Sequence, residues 1–501
     1  MARSSIAELP VIVAARDRSR STLYAANQRG ELRQLAPGLF TRDLETPLDE
    51  LVRQRLPAIV SALYPGAVVS DRSARTGGRP SDDGSLFIVH ERTTPTRLPG
   101  GIVIRPRKGS GPLEGDMPFG DKLWFSSEPR SLLENAVLTR SRGDRVARTL
   151  TKPELEDWVD SLVTQRGTEG VNNLRDRART LAPQLGLEEE YQQIDGLIGT
   201  ALGTRTARTH SPRLRARARG NAYDPERLEL FEQLKQALEE RSPILRPVVD
   251  ADSGRYRYLP FFEAYFSNYI EGTRFSVDEA IDIALHERIP PNRPADAHDI
   301  LGTYRIVSDP GEMRRVAATP DVYLELLRRR HTVVLEGRPD KRPGEFKEER
   351  NEAGGYLFVE PSLVSGTLRQ GFELSRTLTS AFARAVFQMF VVSEVHPFDD
   401  GNGRVARIMM NVELVAAGEH RIIIPSVYRN NYMMGLRGMS TNGNAAGLIA
   451  SLDFAQRYTA SLNYAELDLA REMLAATNAF READEEAAGL VRLELPVRQP
   501  S

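Results

Sequence analysis

The chain has 501 residues, a formal net charge of −2 at pH 7 and no Cys. This length exceeds what one ordinary hydrophobic core supports, so we expect about two to four domains. The near-neutral charge gives no general attraction to nucleic acid or membrane surfaces, and the lack of Cys excludes disulfides and thiolate metal sites. The N-terminal stretch holds no unbroken apolar run, so we expect a cytoplasmic protein with no membrane anchor.

Residues 1–145 predict a small α+β module with a winged-helix-like start. Within it, "SRSTLYAANQRGELRQLAPGLFT" (19–41) predicts a short helix and then a β segment that turns at Pro37-Gly38. The segments "SLFIVHE", "GIVIRPR" and "KLWFSS" follow as predicted short strands between Gly- and Pro-rich turns, and a helix is expected to begin at Pro129.

Residues 146–222 predict a helical connector that ends in a basic linker. The pattern is helical over 150–203, whereas "TRTARTHSPRLRARARGNAYDP" is basic, contains Pro and Gly, and has no apolar periodicity. We favour a solvated linker over a nucleic-acid patch, because no aromatic residues are interleaved with the Arg. This segment is the best candidate for a domain boundary.

After the linker the pattern becomes mostly helical. A helix is expected behind Pro225, with Asp224 as its cap, because apolar residues repeat at helical spacing: Leu228, Phe231, Leu234 and Leu238. A second strongly helical segment, "FELSRTLTSAFARAVFQMFVVSEVHPF", ends where Pro397 interrupts the pattern. His396 therefore lies at the end of an apolar, buried helix that holds its imidazole in place.

The segment "EVHPFDDGNGRVAR" (394–407) combines a glycine turn with the start of a new helix. The turn Gly401-Asn402-Gly403 presents free backbone N–H groups and the positive end of the helix dipole, which suit a polyphosphate. Arg404 and Arg407 project from one helical face and are able to hold phosphate oxygens. Next to the turn, Asp400 is a better Mg²⁺ ligand candidate than Asp399.

His396 is adjacent to this cradle but is not needed to hold phosphate. Its imidazole titrates near neutrality and is able to accept a proton from an incoming hydroxyl. Each feature alone is common in structural roles, but the ordered string favours a joint role. The constellation predicts transfer from a nucleotide to a hydroxyl.

The string from His396 to Arg407 resembles the signature of Fic-domain proteins, and it matches that signature at every specified position. The resemblance implies a mainly α Fic domain over 223–480, in a family whose members mostly transfer AMP from ATP to a Ser, Thr or Tyr hydroxyl of a protein. It implies these roles: His396 as base, Asp400 as Mg²⁺ ligand, Asn402 with the backbone of Gly401 and Gly403 as the phosphate cradle, Arg404 and Arg407 at the outer phosphates, and Phe398 as the loop anchor.

Upstream, Ser267 to Gly272 ("SNYIEG") resembles the inhibitory motif of Fic proteins. Ser267 and Glu271 lie one helical turn apart, and Gly272 is a natural helix terminator. The resemblance implies that Glu271 pairs with Arg407 and displaces the γ-phosphate from its productive position. The plain alternative is an ordinary helix end with an exposed Glu.

Two further elements are implied by the same resemblance. "EFKEERNEAGGYLFVEPS" predicts two extended pieces around a glycine pair, and Fic proteins carry a β-hairpin there, the flap, which clamps the target chain as an added strand. Its candidate target-binding residues are Gly354, Gly355, Tyr356 and Leu357. "YRNNYMMGL" resembles the segment that lines the adenine pocket, with Tyr432 as candidate; core packing is the alternative role.

The expected architecture is thus an α+β N-terminal module, a helical connector, a Fic domain with an inhibitory helix, and a C-terminal tail over 481–501. The expected function is AMP transfer from Mg²⁺-ATP to a protein hydroxyl. One alternative is AMP removal, with Glu271 orienting a water. The other is a DNA-binding regulator with a silent Fic domain, because the N-terminal half is similar to abortive-infection-type antitoxins; Arg20, Arg29 and Arg33 then contact DNA or are plain surface charge.

Overall fold

The computed structural model divides the chain into two compact units, residues 1–219 and 220–501. The division falls within the basic segment that follows residue 203. The structure describes residues 9–15, 18–141, 143, 145–242, 244–249, 254–487, 489 and 491–496. Within these ranges, the structure contains no helix with the length and apolar character needed to cross a bilayer. Residues 488, 490 and 497–501 of the predicted C-terminal tail lie outside the described part.

The first unit begins with a three-stranded antiparallel sheet in the order β1-β3-β2 and one helix. The bounds are β1 Ile12–Ala14, α1 Arg20–Gln28, β2 Arg33–Ala36 and β3 Leu39–Thr41. Ser19 caps α1, and Gly38 takes a positive φ of 78° at the predicted turn. The predicted helix and the predicted β segment with its turn at Pro37-Gly38 both form, because the cap and the turn glycine are at the positions where the backbone requires them.

Two of the three arginines of this element already have partners. The Arg29 guanidinium pairs with Glu31 at 2.7 Å. Arg33 donates to the main-chain oxygen of Asp43 at 2.8 Å. Arg20 is exposed. DNA binding by this module therefore stays a prediction.

The rest of the first unit is a six-stranded mixed sheet, in the order β6-β7-β5-β4-β9-β8, with helices. The strands are β4 Ala67–Val69, β5 Ser85–Val89, β6 Thr96–Arg97, β7 Val103–Arg107, β8 Met117–Pro118 and β9 Leu123–Phe125. The helices are α2 Leu48–Leu63, α3 Asp71–Arg75, α4 Glu128–Ala136, α5 Lys152–Leu185, α6 Glu188–Ala201 and α7 Pro212–Ala218.

The basic segment is not simply a solvated linker, because part of it folds as α7 and its arginines bind buried carboxylates. Asp160 on α5 is buried and pairs with Arg213 at 3.1 Å and with Arg217 at 2.5 Å. Asp195 on α6 pairs with Arg205. A buried carboxylate requires such partners. The composition of the segment predicts a solvated linker, because the carboxylates that bind its arginines lie elsewhere in the sequence and are not visible in a local pattern.

In the described part of the second unit, the regular structure is helical apart from one short hairpin and an isolated bridge between Pro247 and Glu419. Its helices are α8 Pro225–Glu239, α9 Leu259–Ile270, α10 Val277–His286, α11 Pro294–Val307, α12 Pro310–Met313, α13 Pro320–Val334, α14 Val364–Arg376, α15 Ala381–Val395, α16 Asn402–Ala416, α17 Arg429–Asn442, α18 Ala445–Ser461, α19 Leu467–Ala476 and α20 Ala483–Ala487. The hairpin is β10 Glu352–Ala353 and β11 Tyr356–Leu357. The predicted fold class, a mainly α domain with a short β-hairpin behind a smaller α+β module, is confirmed.

The core of this unit is built around α15, which is buried along almost its whole length. Asp224 caps α8 as predicted, and its Oδ1 accepts from the N–H of Glu226 at 3.0 Å. The segment predicted as one helix from Phe372 onward is two helices, α14 and α15. Ser380 accepts from the Ala383 N–H at 3.0 Å and so begins a new helix after the break.

Candidate active site

The loop between α15 and α16 has a fixed backbone path. His396 ends α15 in the left-handed region with a φ of 50°, and Gly401 precedes α16 with a φ of 73°. A Cβ at Gly401 would collide with Leu335, so only glycine fits there. The His396 imidazole and the N-terminus of α16 are therefore held close to one another.

Asn402 closes this loop with both ends of its side chain. Its Oδ1 accepts from the Phe398 N–H at 2.8 Å, and its Nδ2 donates to the Phe398 oxygen at 2.8 Å. The side chain expected to help cradle phosphate is thus committed to the loop. The backbone N–H groups at the start of α16 are what this turn offers to an anion.

His331, which no sequence pattern marked, supports the loop from α13. Its ring stacks on Phe398 with centroids 3.8 Å apart. Its Nε2–H donates to the Asp400 oxygen at 3.0 Å, and its Nδ1 accepts from the Gly344 N–H at 2.9 Å. Burial lowers the pKa of His331 to about 4, so the ring is neutral and suits one donor and one acceptor role.

Lys347 is a second support that sequence reasoning missed. Its buried Nζ donates to Asn351 Oδ1 at 2.7 Å and to the Val395 oxygen at 3.3 Å. Asn351 in turn donates to the Phe398 oxygen at 2.9 Å. Burial lowers the pKa of Lys347 to about 7. A polar chain thus connects the segment before the hairpin to both ends of the His396 loop.

The protonation state of His396 follows from its surroundings. Its ring stacks on Phe358 with centroids 3.9 Å apart. Nδ1 lies 3.3 Å from the Ser393 carbonyl oxygen, which only accepts, so Nδ1 carries the proton and Nε2 has the free lone pair. Burial, reinforced by the positive charge of Lys347, lowers the pKa of His396 to about 4. The ring is therefore neutral at pH 7.

Ser267 and Glu271, at the end of α9, both contact Arg407. Arg407 Nε donates to Ser267 Oγ at 3.0 Å, and Nη2 donates to the Ser267 oxygen at 2.7 Å and to Glu271 Oε1 at 2.7 Å. The side chain of Arg407 is 6% exposed and that of Glu271 30%. Gly272 follows with a φ of 91° and terminates the helix. The two motifs lie more than a hundred residues apart in sequence and meet in the fold.

Glu271 also covers the N-terminus of α16. A Cβ built on Gly403 would collide with Glu271 Oε1. The Glu271 carboxylate therefore lies against the first turn of α16, at the helix end that attracts anions. One acidic side chain is thus close to both this helix end and the Arg407 guanidinium.

Asp400 and Arg404 lie four residues apart, just before and within the first turn of α16. The buried Arg404 guanidinium pairs with Asp299 at 2.7 Å and lies 3.4 Å from Asp400 Oδ1. Asp299 is also held by Arg338 at 2.8 Å. The Asp400 side chain remains 39% exposed. One accessible carboxylate fits Mg²⁺, which proteins commonly bind through one or two carboxylates together with substrate phosphates.

Some of the predicted site residues line one cavity of about 1030 Å³. Predicted residues that line it are Glu271, Gly354, Gly355, Tyr356, His396, Gly403, Arg407 and Tyr432. Asp400, Gly401, Asn402, Arg404, Ser267, Gly272 and Leu357 are not among its described lining residues. Tyr432 is 1% exposed, and its hydroxyl lies 3.3 Å from Met389 Sδ, so it serves both the cavity wall and the core.

The hairpin predicted around the glycine pair forms at the edge of this cavity. Ala353 pairs with Tyr356 across Gly354-Gly355, and both glycines take positive φ values. The Tyr356 hydroxyl donates to Glu394 at the end of α15. The hairpin therefore lines the cavity and is hydrogen-bonded to α15, the helix that ends at His396.

Comparison with known proteins matches residues 321–414 to the family model described as Fic/DOC family. Protein adenylyltransferase Fic of Drosophila yakuba is 28% identical over 220 residues, which are 40% of this chain and 42% of the relative. The protein of the same name from Drosophila willistoni is 26% identical over 283 residues, 53% of this chain and 54% of the relative. The chain thus spans about half the length of these curated relatives.

Among solved structures, Fic-1 (residues 134–508) from C. elegans is similar over 61% of this chain and 95% of that chain. The TM-score is 0.36 and the sequence identity 17%. The family model and the curated relatives confirm the predicted Fic domain in the second unit.

Proposed function

We propose that this Fic-domain chain transfers AMP from Mg²⁺-ATP to a hydroxyl of a protein, and that Glu271 restrains the transfer. The observation that carries the proposal is one cavity that holds three groups together: His396, the N-terminus of α16 at Gly403, and Arg407. A neutral imidazole beside two anion-binding groups suits a reaction that moves a nucleotidyl group onto a hydroxyl. The names of the curated relatives support the same activity.

In the proposed reaction, the target hydroxyl oxygen attacks the α-phosphorus of ATP. The bond from that phosphorus to the α–β bridging oxygen breaks, pyrophosphate leaves, and the hydroxyl proton passes to Nε2 of His396. The N–H groups of α16 and the freed Arg407 guanidinium hold the phosphate oxygens. Asp400 would hold Mg²⁺, which when bound offsets the charge of the leaving pyrophosphate.

The restraint follows from charge. With Glu271 in place, Arg407 already has a carboxylate partner at 2.7 Å, and a phosphate that approaches Gly403 meets a second negative charge. The Glu271 carboxylate repels the incoming phosphate, and the Arg407 guanidinium is not available to the γ-phosphate. The chain at rest is therefore a slow enzyme.

AMP removal is the second candidate, because Glu271 lines the same cavity as His396. A carboxylate there is able to accept a proton from a water that attacks the phosphate of a modified side chain. In this reaction the bond from phosphorus to the side-chain oxygen breaks and AMP leaves. Glu271 is then a catalytic group.

The test is incubation of wild type, Glu271→Gly and Glu271→Gly with His396→Ala in host lysate with ATP labelled at the α- or the γ-phosphate. Protein-bound label from α-labelled ATP alone, only when His396 is intact, supports AMP transfer. Equal labelling with and without His396 contradicts it. Labelled product that loses AMP on addition of wild type, and not of Glu271→Gly, supports removal.

A further inference from the structure

The hairpin over the cavity has two outer edges with different environments. Glu352 faces Leu357 across the hairpin, and the next pair outward is bonded, with the Phe358 N–H donating to the Asn351 oxygen at 3.2 Å. Bonded and non-bonded pairs alternate in antiparallel strands. The main-chain groups of Glu352 and Leu357 therefore point away from each other, one to the β10 edge and one to the β11 edge.

The β11 edge is closed by an arginine from a distant helix. Arg227 of α8 donates from Nη2 to the Leu357 oxygen at 2.5 Å, and its guanidinium lies 5.0 Å from the centre of the Tyr356 ring. It also pairs with Glu394 at 3.0 Å, and the side chains of Arg227 and Glu394 are 12% and 1% exposed. A desolvated guanidinium shared between a carboxylate and a main-chain oxygen is a fixed contact.

The same carboxylate fastens the inner face of the hairpin. Glu394 accepts from the Tyr356 hydroxyl and, at 2.6 Å, from Ser440 Oγ of α17. Arg227, Tyr356, Glu394 and Ser440 form one network, which we call the latch. It joins the hairpin to α8, α15 and α17, so the hairpin has one preferred position over the cavity.

The β10 edge is open. Glu352 is exposed, and within the described ranges its main-chain groups have no hydrogen-bond partner. Asn351, immediately before it, donates to the Phe398 oxygen of the His396 loop at 2.9 Å. The open edge therefore begins beside the loop that carries the proposed base.

We propose that Arg227 is a positioning residue: through the latch it holds the hairpin and closes the β11 edge, so that the strand addition implied by the family resemblance takes place on the β10 edge, at the main chain of Glu352. The inference rests on the proposed function, because it names where the protein substrate of that reaction is held. An unpaired strand edge is a ready template for an added strand.

The edge is tested with two matched proline variants in the Glu271→Gly chain. Proline at a non-bonded position removes only the outward N–H and keeps the hairpin's own bonds. The acceptor is the His396→Ala chain with a tag of distinct size, which carries hydroxyls but transfers nothing. We expect Glu352→Pro to raise the KM for this acceptor about fivefold or more, and to raise it more than Leu357→Pro does, because the outward groups of Leu357 lie on the edge that Arg227 closes. Equal loss in both variants, or greater loss in Leu357→Pro, overturns the edge assignment.

The latch is tested with Arg227→Met, with Arg471→Met as the control. Arg471 forms an exposed ion pair with Asp278 at 2.7 Å, so its loss removes a comparable charge and leaves the hairpin untouched. We expect Arg227→Met to speed hydrogen exchange of the hairpin amides about tenfold or more and to raise the acceptor KM, with Mg²⁺-ATP affinity unchanged. Arg227→Lys, which keeps the charge without the fork, should recover part of the KM.

Unchanged hairpin exchange in Arg227→Met overturns the latch, and this measurement needs no enzymatic activity. Failure of the proposed function is recognised separately, because the parent Glu271→Gly chain then labels neither this acceptor nor any protein of the lysate. If the parent chain is active and Arg227→Met leaves its acceptor KM unchanged, only the positioning role of Arg227 is overturned.

Discussion

Glu271→Gly is the perturbation that bears most directly on the proposed restraint. It removes the carboxylate that covers Gly403 and pairs with Arg407 at 2.7 Å. Arg407 keeps its bonds to Ser267 Oγ at 3.0 Å and to the Ser267 oxygen at 2.7 Å. The guanidinium therefore stays in position after the carboxylate has gone, and it becomes available to the γ-phosphate without reorganisation.

The magnitude follows from the burial of the pair. Arg407 is 6% exposed but Glu271 is 30% exposed, so solvent screens the contact in part and the full value of a buried pair is too large. A charge-assisted hydrogen bond of about 1.5 to 3 kcal/mol is the appropriate range. At about 1.4 kcal/mol per tenfold, this predicts that transfer rises by roughly 10-fold to 150-fold.

The assay is incorporation from α-labelled ATP in wild type, Glu271→Gly, Arg407→Ala and the double variant. Arg407→Ala should be inactive in either background, because the released partner is absent. Glu271→Gln is the matched control: it keeps the size and one acceptor but loses the charge, and we expect an intermediate rate. If Glu271→Gly leaves incorporation unchanged or lowers it, the restraint is refuted and Glu271 is either a plain helix-end residue or a group for AMP removal.

Three further predictions concern the loop. His396→Ala should lower transfer about 10²-fold to 10⁴-fold with calorimetric Mg²⁺-ATP affinity retained; wild-type rates would remove the assigned base. Asp400→Ala should weaken the Mg²⁺ dependence of ATP binding, and Arg404→Ala should lower ATP affinity. Arg404→Ala should also lower Tm, because buried Asp299 loses one of its two guanidinium partners. Unchanged calorimetric titrations in both variants would contradict a nucleotide site. The pKa of His331 is about 4 in the folded chain against an ordinary 6.5, so the unfolded chain binds the proton more readily. From pH 7 to pH 5 the contribution of His331 to the free energy of unfolding should therefore fall by about 2 kcal/mol. Denaturant titrations of wild type and His331→Gln with equal pH slopes would contradict this.

The sequence predicted what is encoded locally. The loop from His396 to Arg407 is one continuous string, and glycine at 401 is required by a positive φ of 73°. The meeting of Glu271 and Arg407 was implied by the resemblance to the inhibitory motif, and the contact exists at 2.7 Å. Spacing along α9 places Ser267 and Glu271 one helical turn apart, but it does not indicate their partner.

The sequence did not predict partners that come from other helices. No sequence pattern indicated that the Arg404 guanidinium pairs with Asp299 of α11 at 2.7 Å, and its role at the outer phosphates stays a prediction. Nor did any pattern indicate that the Asn402 side chain closes the loop on Phe398, and its role near phosphate also stays a prediction. His331, Lys347 and Arg227 carry no local signal, because their roles depend on carbonyl oxygens that only the assembled fold brings near.

The charges around His396 affect how readily its imidazole accepts a proton. In the structure the ring has an apolar neighbour in Phe358 and a cationic influence from Lys347, and both keep it neutral. The hydrogen bond to the Ser393 carbonyl oxygen raises the pKa of His396, and the Glu271 and Asp400 carboxylates act in the same direction. In the proposed reaction, a triphosphate that displaces Glu271 replaces one anion near the ring with another of larger charge. We therefore expect the pKa of His396 to rise when the nucleotide binds, which would couple proton acceptance to substrate binding.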